Sequence, residues 1–216
     1  MFALFEEIFL LCIHEDKGTV VASKADDLRF ALGGALLAEL ALIRKVGLKD
    51  NQRLEVLDSA PTEDDILTEA LETIKATEKE RKISYWIDVF TQKPEKFRKR
   101  LAKRLVQSGV VSLEDDRFQW VVPAPSLPDQ NASAKYLLKT RIRDLCLASS
   151  QAEPREIALL SLAKASNMLD LIFVKDERKL ADRRIHELVV VEAMKNPAIQ
   201  TIEAIAVAVE SEVEED

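Results

Sequence analysis

A long, almost uncharged stretch in the first quarter of the chain constrains the fold more than any other feature. The segment from Ala31 to Ile43 carries one charge, Glu39, and four leucines recur around it with helical spacing: Leu28, Leu32, Leu36 and Leu40. This pattern predicts a helix over 28–45 that is buried on most of its surface. The stretch is too short to span a bilayer, so we expect it inside a globular domain, with Glu39 hydrogen-bonded in the core. The adjacent Gly33 and Gly34 would let another backbone come close.

The remaining sequence is also rich in helix-forming residues, with only five glycines and seven prolines in 216 residues. A strand is predicted at 52–57, and the segment 5–13 fits either a helix or a buried strand. Helical spacing and capping residues predict further helices at 64–77, 83–90, 94–108, 134–148, 154–165, 176–194 and 199–209. The predicted fold class is therefore mainly α: a single helical domain, 1–209, with a protruding β-hairpin at 110–122 and an acidic, disordered tail at 210–216.

Composition excludes several classes of function. The net charge is −7 and the isoelectric point is near 5.1, which argues against a nucleic-acid coat. Two cysteines and two histidines cannot build a disulfide framework or a histidine-rich metal site, so no metal and no cofactor is predicted. The acids at 63–65 are explained by helix capping. The sequence has no nucleophile elbow, phosphate loop or dinucleotide motif, so we predict a cytoplasmic protein that is not an enzyme.

Basic residues concentrate in one segment. Seven of the twelve residues from Lys93 to Arg104 are basic, and helical projection places five on one arc: Lys96, Lys99, Arg100, Lys103 and Arg104. An ordinary solvated helix face is one interpretation of this arc, and a surface that binds anionic ligands is the other. Arg98 projects onto the apolar side, where it must line a pocket or form a buried ion pair.

The basic helix followed by a glycine and a hairpin also allows a nucleic-acid hypothesis. The helix 94–108 could act as the recognition helix of a winged-helix-like protein. The acidic isoelectric point argues against nucleic acid as the partner, and a protein-interaction scaffold with neither ligand is a third interpretation.

Several segments are similar to a known family. They are Leu36–Leu42, Asp58–Asp64 with Thr68–Leu71, Arg98–Val110 and Ala158–Ser166. In order and spacing, from about residue 5 to residue 195, they resemble the Golgi phosphoprotein 3 family. The resemblance implies a mainly α fold with a protruding hairpin and no catalysis. It also implies binding of phosphatidylinositol 4-phosphate, capture of short membrane-protein tails, and homo-oligomers formed through the hairpin 110–122.

The family's lipid pocket can be followed position by position. Lys24 stands where the family has a tryptophan, and Gly33 and Glu95 stand where it has arginines, whereas Arg98 is retained. The resemblance therefore implies a headgroup site with Arg98 and Lys24, without fixing which lipid is bound. Around it, four residues form a predicted membrane-facing arc: Lys96, Lys99, Arg100 and Lys103. Each basic residue near an anionic membrane contributes about 1 kcal/mol, so we predict reversible, salt-sensitive peripheral attachment.

Overall fold

The structure, a computed structural model, describes residues 2–14, 19–49, 52–77, 79–114, 117–120, 134–148 and 150–215. Helices dominate, as predicted, and their bounds are α1 (Leu4–Cys12), α2 (Ala25–Leu42), α3 (Asp65–Lys75), α4 (Ile83–Thr91), α5 (Pro94–Gln107), α6 (Ala134–Leu147), α7 (Pro154–Ala165), α8 (Arg178–Ala193) and α9 (Pro197–Glu215). Short 3₁₀ turns at Ala22–Lys24 and Leu169–Leu171 precede α2 and α8. The mainly α fold class is confirmed.

Helix α2 lies at the centre of the core, as its leucine spacing predicted. It packs against α1, α4, α7 and α9, and its four regularly spaced leucines, Leu28, Leu32, Leu36 and Leu40, are almost fully buried. Its two glycines lie against different helices. A Cβ at Gly33 would lie 3.3 Å from the carbonyl oxygen of Ile87 in α4, whereas one at Gly34 would lie 2.5 Å from the Val209 side chain of α9. The predicted close approach of a backbone therefore holds for Gly33.

Two antiparallel hairpins interrupt the helices in the described residues. Strands β3 (Val111–Glu114) and β4 (Arg117–Trp120) pair with Val111 opposite Trp120 and Glu114 opposite Arg117, which confirms a hairpin within 110–122. Residues 115, 116, 121 and 122 of that prediction lie outside the described residues.

The other hairpin was only half predicted. Strands β1 (Val46–Lys49) and β2 (Arg53–Val56) pair with Val46 opposite Val56. The spacing of apolar residues predicted only the second strand, at 52–57. The helix before it was predicted to extend to Lys45, and no strand was predicted between them. Helix α2 ends instead at Leu42, and the backbone reverses at Arg44, whose φ is 56°.

The disordered tail predicted at 210–216 is corrected by the structure for residues 210–215, and residue 216 lies outside the described residues. Helix α9 continues through the acidic residues to Glu215. Val209 is fully buried and Val213 packs partly buried against the core, so an apolar stripe at helical spacing outweighs the repulsion between neighbouring acids. Among the described helices, none combines the length and apolar character that crossing a membrane requires.

Candidate anionic-ligand surface on the basic helix

The basic helix is α5, and its ends follow from its sequence. Pro94 occupies the first turn, where a missing backbone N–H costs nothing. The helix ends at Gln107, and Gly109 takes a left-handed φ of 72°. Leu101 and Leu105 are fully buried, which anchors one side of α5 in the core and turns its charged side outward.

Two arginines of the predicted arc are held by carboxylates. Arg100 donates to Asp65 at 2.5 Å and also pairs with Glu69, both on α3. Arg104 lies 2.9 Å from Glu6 of α1 and 2.5 Å from Asp64. The hydrogen bond from Arg100 lowers the pKa of the Asp65 carboxyl, so this pair is ionised at neutral pH. The structure therefore places both arginines in ion pairs that fasten α5 to α3 and α1.

Three lysines of the same arc are in a different situation. Lys96, Lys99 and Lys103 are exposed, and no carboxylate among the described residues forms an ion pair with any of them. Positions i, i+3 and i+7 of a helix lie on one stripe, so the three lysines share one face of α5. This lysine stripe is the part of the predicted arc whose charge is uncompensated.

Arg98 is half buried, as its projection predicted. Its guanidinium lies 3.2 Å from the carboxylate of Glu95, one turn earlier on α5, and its Nε is buried without a hydrogen-bond acceptor in the described residues. Glu95 itself is largely exposed. Of the two alternatives left by the sequence, a pocket or a buried ion pair, the structure gives a partly buried pair.

Lys24 binds the turn that follows α7. Its Nζ donates to the carbonyl oxygen of Asn167 at 2.6 Å and lies 3.1 Å from Asp170. The side chain is only 11% exposed, because it is packed between the start of α2 and the turn after α7. The two residues predicted to share a headgroup site thus have different partners among the described residues.

A second group of ion pairs, deep between α1, α2, α6 and α7, was missed from the sequence except for one member. Glu39 accepts from the backbone N–H of Leu4 and from Arg155, each at 2.6 Å, which confirms its predicted role in the core. Glu7 pairs with Arg141 at 2.8 Å. Burial raises the pKa of Glu7, while the hydrogen bond and charge of Arg141 oppose that rise. Because the two members of each ion pair lie far apart in the sequence, no local sequence pattern predicts the pair.

These features define the class of protein. It is an α-helical domain centred on a buried helix, with a basic helix leading into a hairpin. The family model described as Golgi phosphoprotein 3 (GPP34) matches residues 4–206. The chain therefore belongs to the Golgi phosphoprotein 3 family.

Proposed function

We propose that the chain attaches peripherally to anionic membranes through the lysine stripe of α5. The observation that carries this proposal is that Lys96, Lys99 and Lys103 are exposed on one helix face without carboxylate partners among the described residues. Membership of the Golgi phosphoprotein 3 family supports a Golgi phosphoprotein-like role for the domain. Positive charges near an anionic surface attract it without requiring a shaped pocket.

In this proposal, binding depends more on the negative charge of the membrane than on the identity of the lipid headgroup. Arg98 lies on the same helix and adds a half-buried guanidinium that could contact a phosphate. Lys24 is already bonded to Asn167 and Asp170, so its contribution to a headgroup site would require breaking those contacts. We therefore propose anionic lipids as the ligands, with phosphatidylinositol 4-phosphate among them. Cytoplasmic localisation, membrane-protein tails as partners and oligomers through the hairpin 110–122 stay predictions.

Vesicle co-sedimentation tests this proposal. The wild-type chain is mixed with vesicles of phosphatidylcholine alone, with added phosphatidylserine, or with added phosphatidylinositol 4-phosphate, over a salt series. We expect binding to both anionic mixtures and its loss at high salt. The variant Lys96→Glu/Lys99→Glu/Lys103→Glu should bind more weakly by a factor of about 100 or more, since three attractions of about 1 kcal/mol are removed and three repulsions are added.

The matched control changes charge by the same amount elsewhere. Lys175 lies in the α7–α8 connection, Lys179 lies in α8, and Lys195 lies in the turn after α8. All three are exposed. Their triple glutamate variant should bind anionic vesicles nearly as the wild type does. Equal loss in both variants would show a response to net charge only, and would overturn the assignment to α5. A duplex-DNA mobility-shift assay on the same variants tests the winged-helix alternative.

A further inference from the structure

A cleft of about 270 Å³ opens where α2, α3, α4 and α5 meet. Its floor is apolar and consists of Leu36, Ile66, Ala70, Val89, Phe90 and Phe97. Three of these side chains, Val89, Phe90 and Phe97, are only half buried. Apolar surface left in contact with water is unfavourable, at about 25 cal/mol per Å², so a ligand that covers the floor gains free energy.

The mouth of the cleft is positively charged. Lys93, Lys96 and Arg100 line it together with one acid, Glu69. Arg100 and Glu69 are bonded to each other, and Arg100 is bonded also to Asp65, so these charges compensate locally. Lys93 and Lys96 have no ion pair among the described residues, which leaves two uncompensated ammonium groups above an apolar floor.

We propose that this cleft binds a free single-chain anionic amphiphile of the fatty-acid type. Its hydrocarbon chain would lie on the floor, and its carboxylate would accept hydrogen bonds from Lys93 and Lys96. The volume argues for one chain, because ligand pockets of roughly 300–1,000 Å³ hold drug-sized molecules and this cleft lies just below that range. Lys96 belongs to both the cleft and the lysine stripe, but this proposal does not require membrane attachment, since its ligand is in solution and its other contacts are with Lys93 and the apolar floor.

Isothermal titration calorimetry with laurate, below its micelle concentration and at pH 8, tests the proposal. We expect one site per chain. Decanoate, shorter by two methylene groups, should bind about tenfold more weakly because each buried methylene contributes about 0.8 kcal/mol. Dodecyltrimethylammonium has a matching chain and the opposite charge, so it should not bind at this site.

Two variants locate the site. Lys93→Gln/Lys96→Gln should weaken laurate binding at least tenfold, whereas Lys175→Gln/Lys179→Gln, distant and exposed, should leave it unchanged. Ala70→Leu extends a side chain from the floor into the cleft and should also prevent binding; its folding is checked by circular dichroism. No binding by the wild type, equal affinity for the cationic amphiphile, or binding unaffected by the lysine variant would each overturn the proposal.

The same variants separate this inference from the proposed function. Lys99 and Lys103 belong to the lysine stripe but do not line the cleft. Lys99→Gln/Lys103→Gln should therefore weaken vesicle binding and leave laurate binding intact, whereas Ala70→Leu should do the reverse. Loss of both activities in either variant would contradict the claim that laurate binding and vesicle binding are separable.

Discussion

Arg104 of α5 donates a hydrogen bond to Asp64 at 2.5 Å, and Asp64 is also the residue whose side chain caps α3 by accepting from the backbone N–H of Ile66 and Leu67. One carboxylate thus begins a helix and fastens it to a second helix. The same guanidinium lies 2.9 Å from Glu6 of α1. Three elements are therefore joined at one arginine, which makes this side chain structural rather than free for a ligand.

Replacing Arg104 should destabilise the protein. In Arg104→Ala, the carboxylate of Glu6, which is only 9% exposed, loses its cation. We expect a loss of about 1.5–3 kcal/mol in the free energy of unfolding, measured by urea denaturation. Arg183→Ala, at an exposed position of α8, is the control and should change stability by less than about 0.5 kcal/mol. Equal effects in both variants would contradict a structural role for Arg104.

Lys24 is expected to act on stability and not on membrane binding. Lys24→Met keeps most of the side-chain volume but removes the bonds to Asn167 and Asp170. The free energy of unfolding should fall by about 1–3 kcal/mol, while co-sedimentation with anionic vesicles stays at the wild-type level. Lys179→Met is the exposed control. A stable variant that no longer binds vesicles would instead assign Lys24 to a lipid headgroup.

Gly34 should not tolerate a methyl group. The Cβ of Gly34→Ala would lie 2.5 Å from Val209 Cγ2 and 3.1 Å from Leu162 Cδ2, so α9 or α7 must shift. We expect a loss of about 1–3 kcal/mol despite the better helix propensity of alanine. Adding Val209→Ala removes the clashing group. The double variant should therefore be more stable than the sum of the single effects by about 0.5–3 kcal/mol, and strict additivity would show that the contact is not limiting.

The titration of Glu7 makes the stability of the protein depend on pH, and the raised pKa of Glu7 sets the direction of that dependence. Because burial raises its pKa above the ordinary value of 4.5, the folded chain keeps this proton to higher pH than the unfolded chain. The contribution of Glu7 to stability is therefore greatest below pH 4.5 and falls as the pH rises through the folded-state pKa.

The variant Glu7→Gln isolates this effect, since it cannot titrate. Its stability relative to the wild type should rise with pH above 4.5 and then level off, as measured by urea unfolding across a pH series. Taking the difference between the two proteins removes the titration of groups that both share. A relative stability that stays flat or falls with pH would contradict the raised pKa.

Local chemistry in the sequence was enough to predict most helix ends. Asp64 was placed at the start of α3, Pro94 at the start of α5 and Gly109 just after its end, and the structure agrees at each. Such signals are readable because a cap, a proline or a left-handed glycine acts within one turn. At the start of α2 the prediction was wrong, because the leucine spacing placed the first helical residue at Leu28 and the helix begins at Ala25.

The partners of the charged side chains could not be predicted. Periodicity placed Arg100 on the outer arc of α5, but it could not show that Asp65 and Glu69 lie opposite. Those contacts span 35 and 31 residues and arise only when α3 and α5 pack together. The basic arc was therefore predicted as five similar charges, whereas packing divides it into two structural arginines and three exposed lysines.

The contact between Gly34 and Val209 has a consequence for how the chain is made. Helix α2 leaves the ribosome before α9, yet the face that carries Gly34 is covered by α9, whose Val209 is synthesised about 175 residues later. Until then, the central helix of the core lacks the helix with which it packs most extensively. A nascent chain of this domain should therefore need protection from aggregation between the synthesis of α2 and that of α9, and it can complete its core only after α9 emerges.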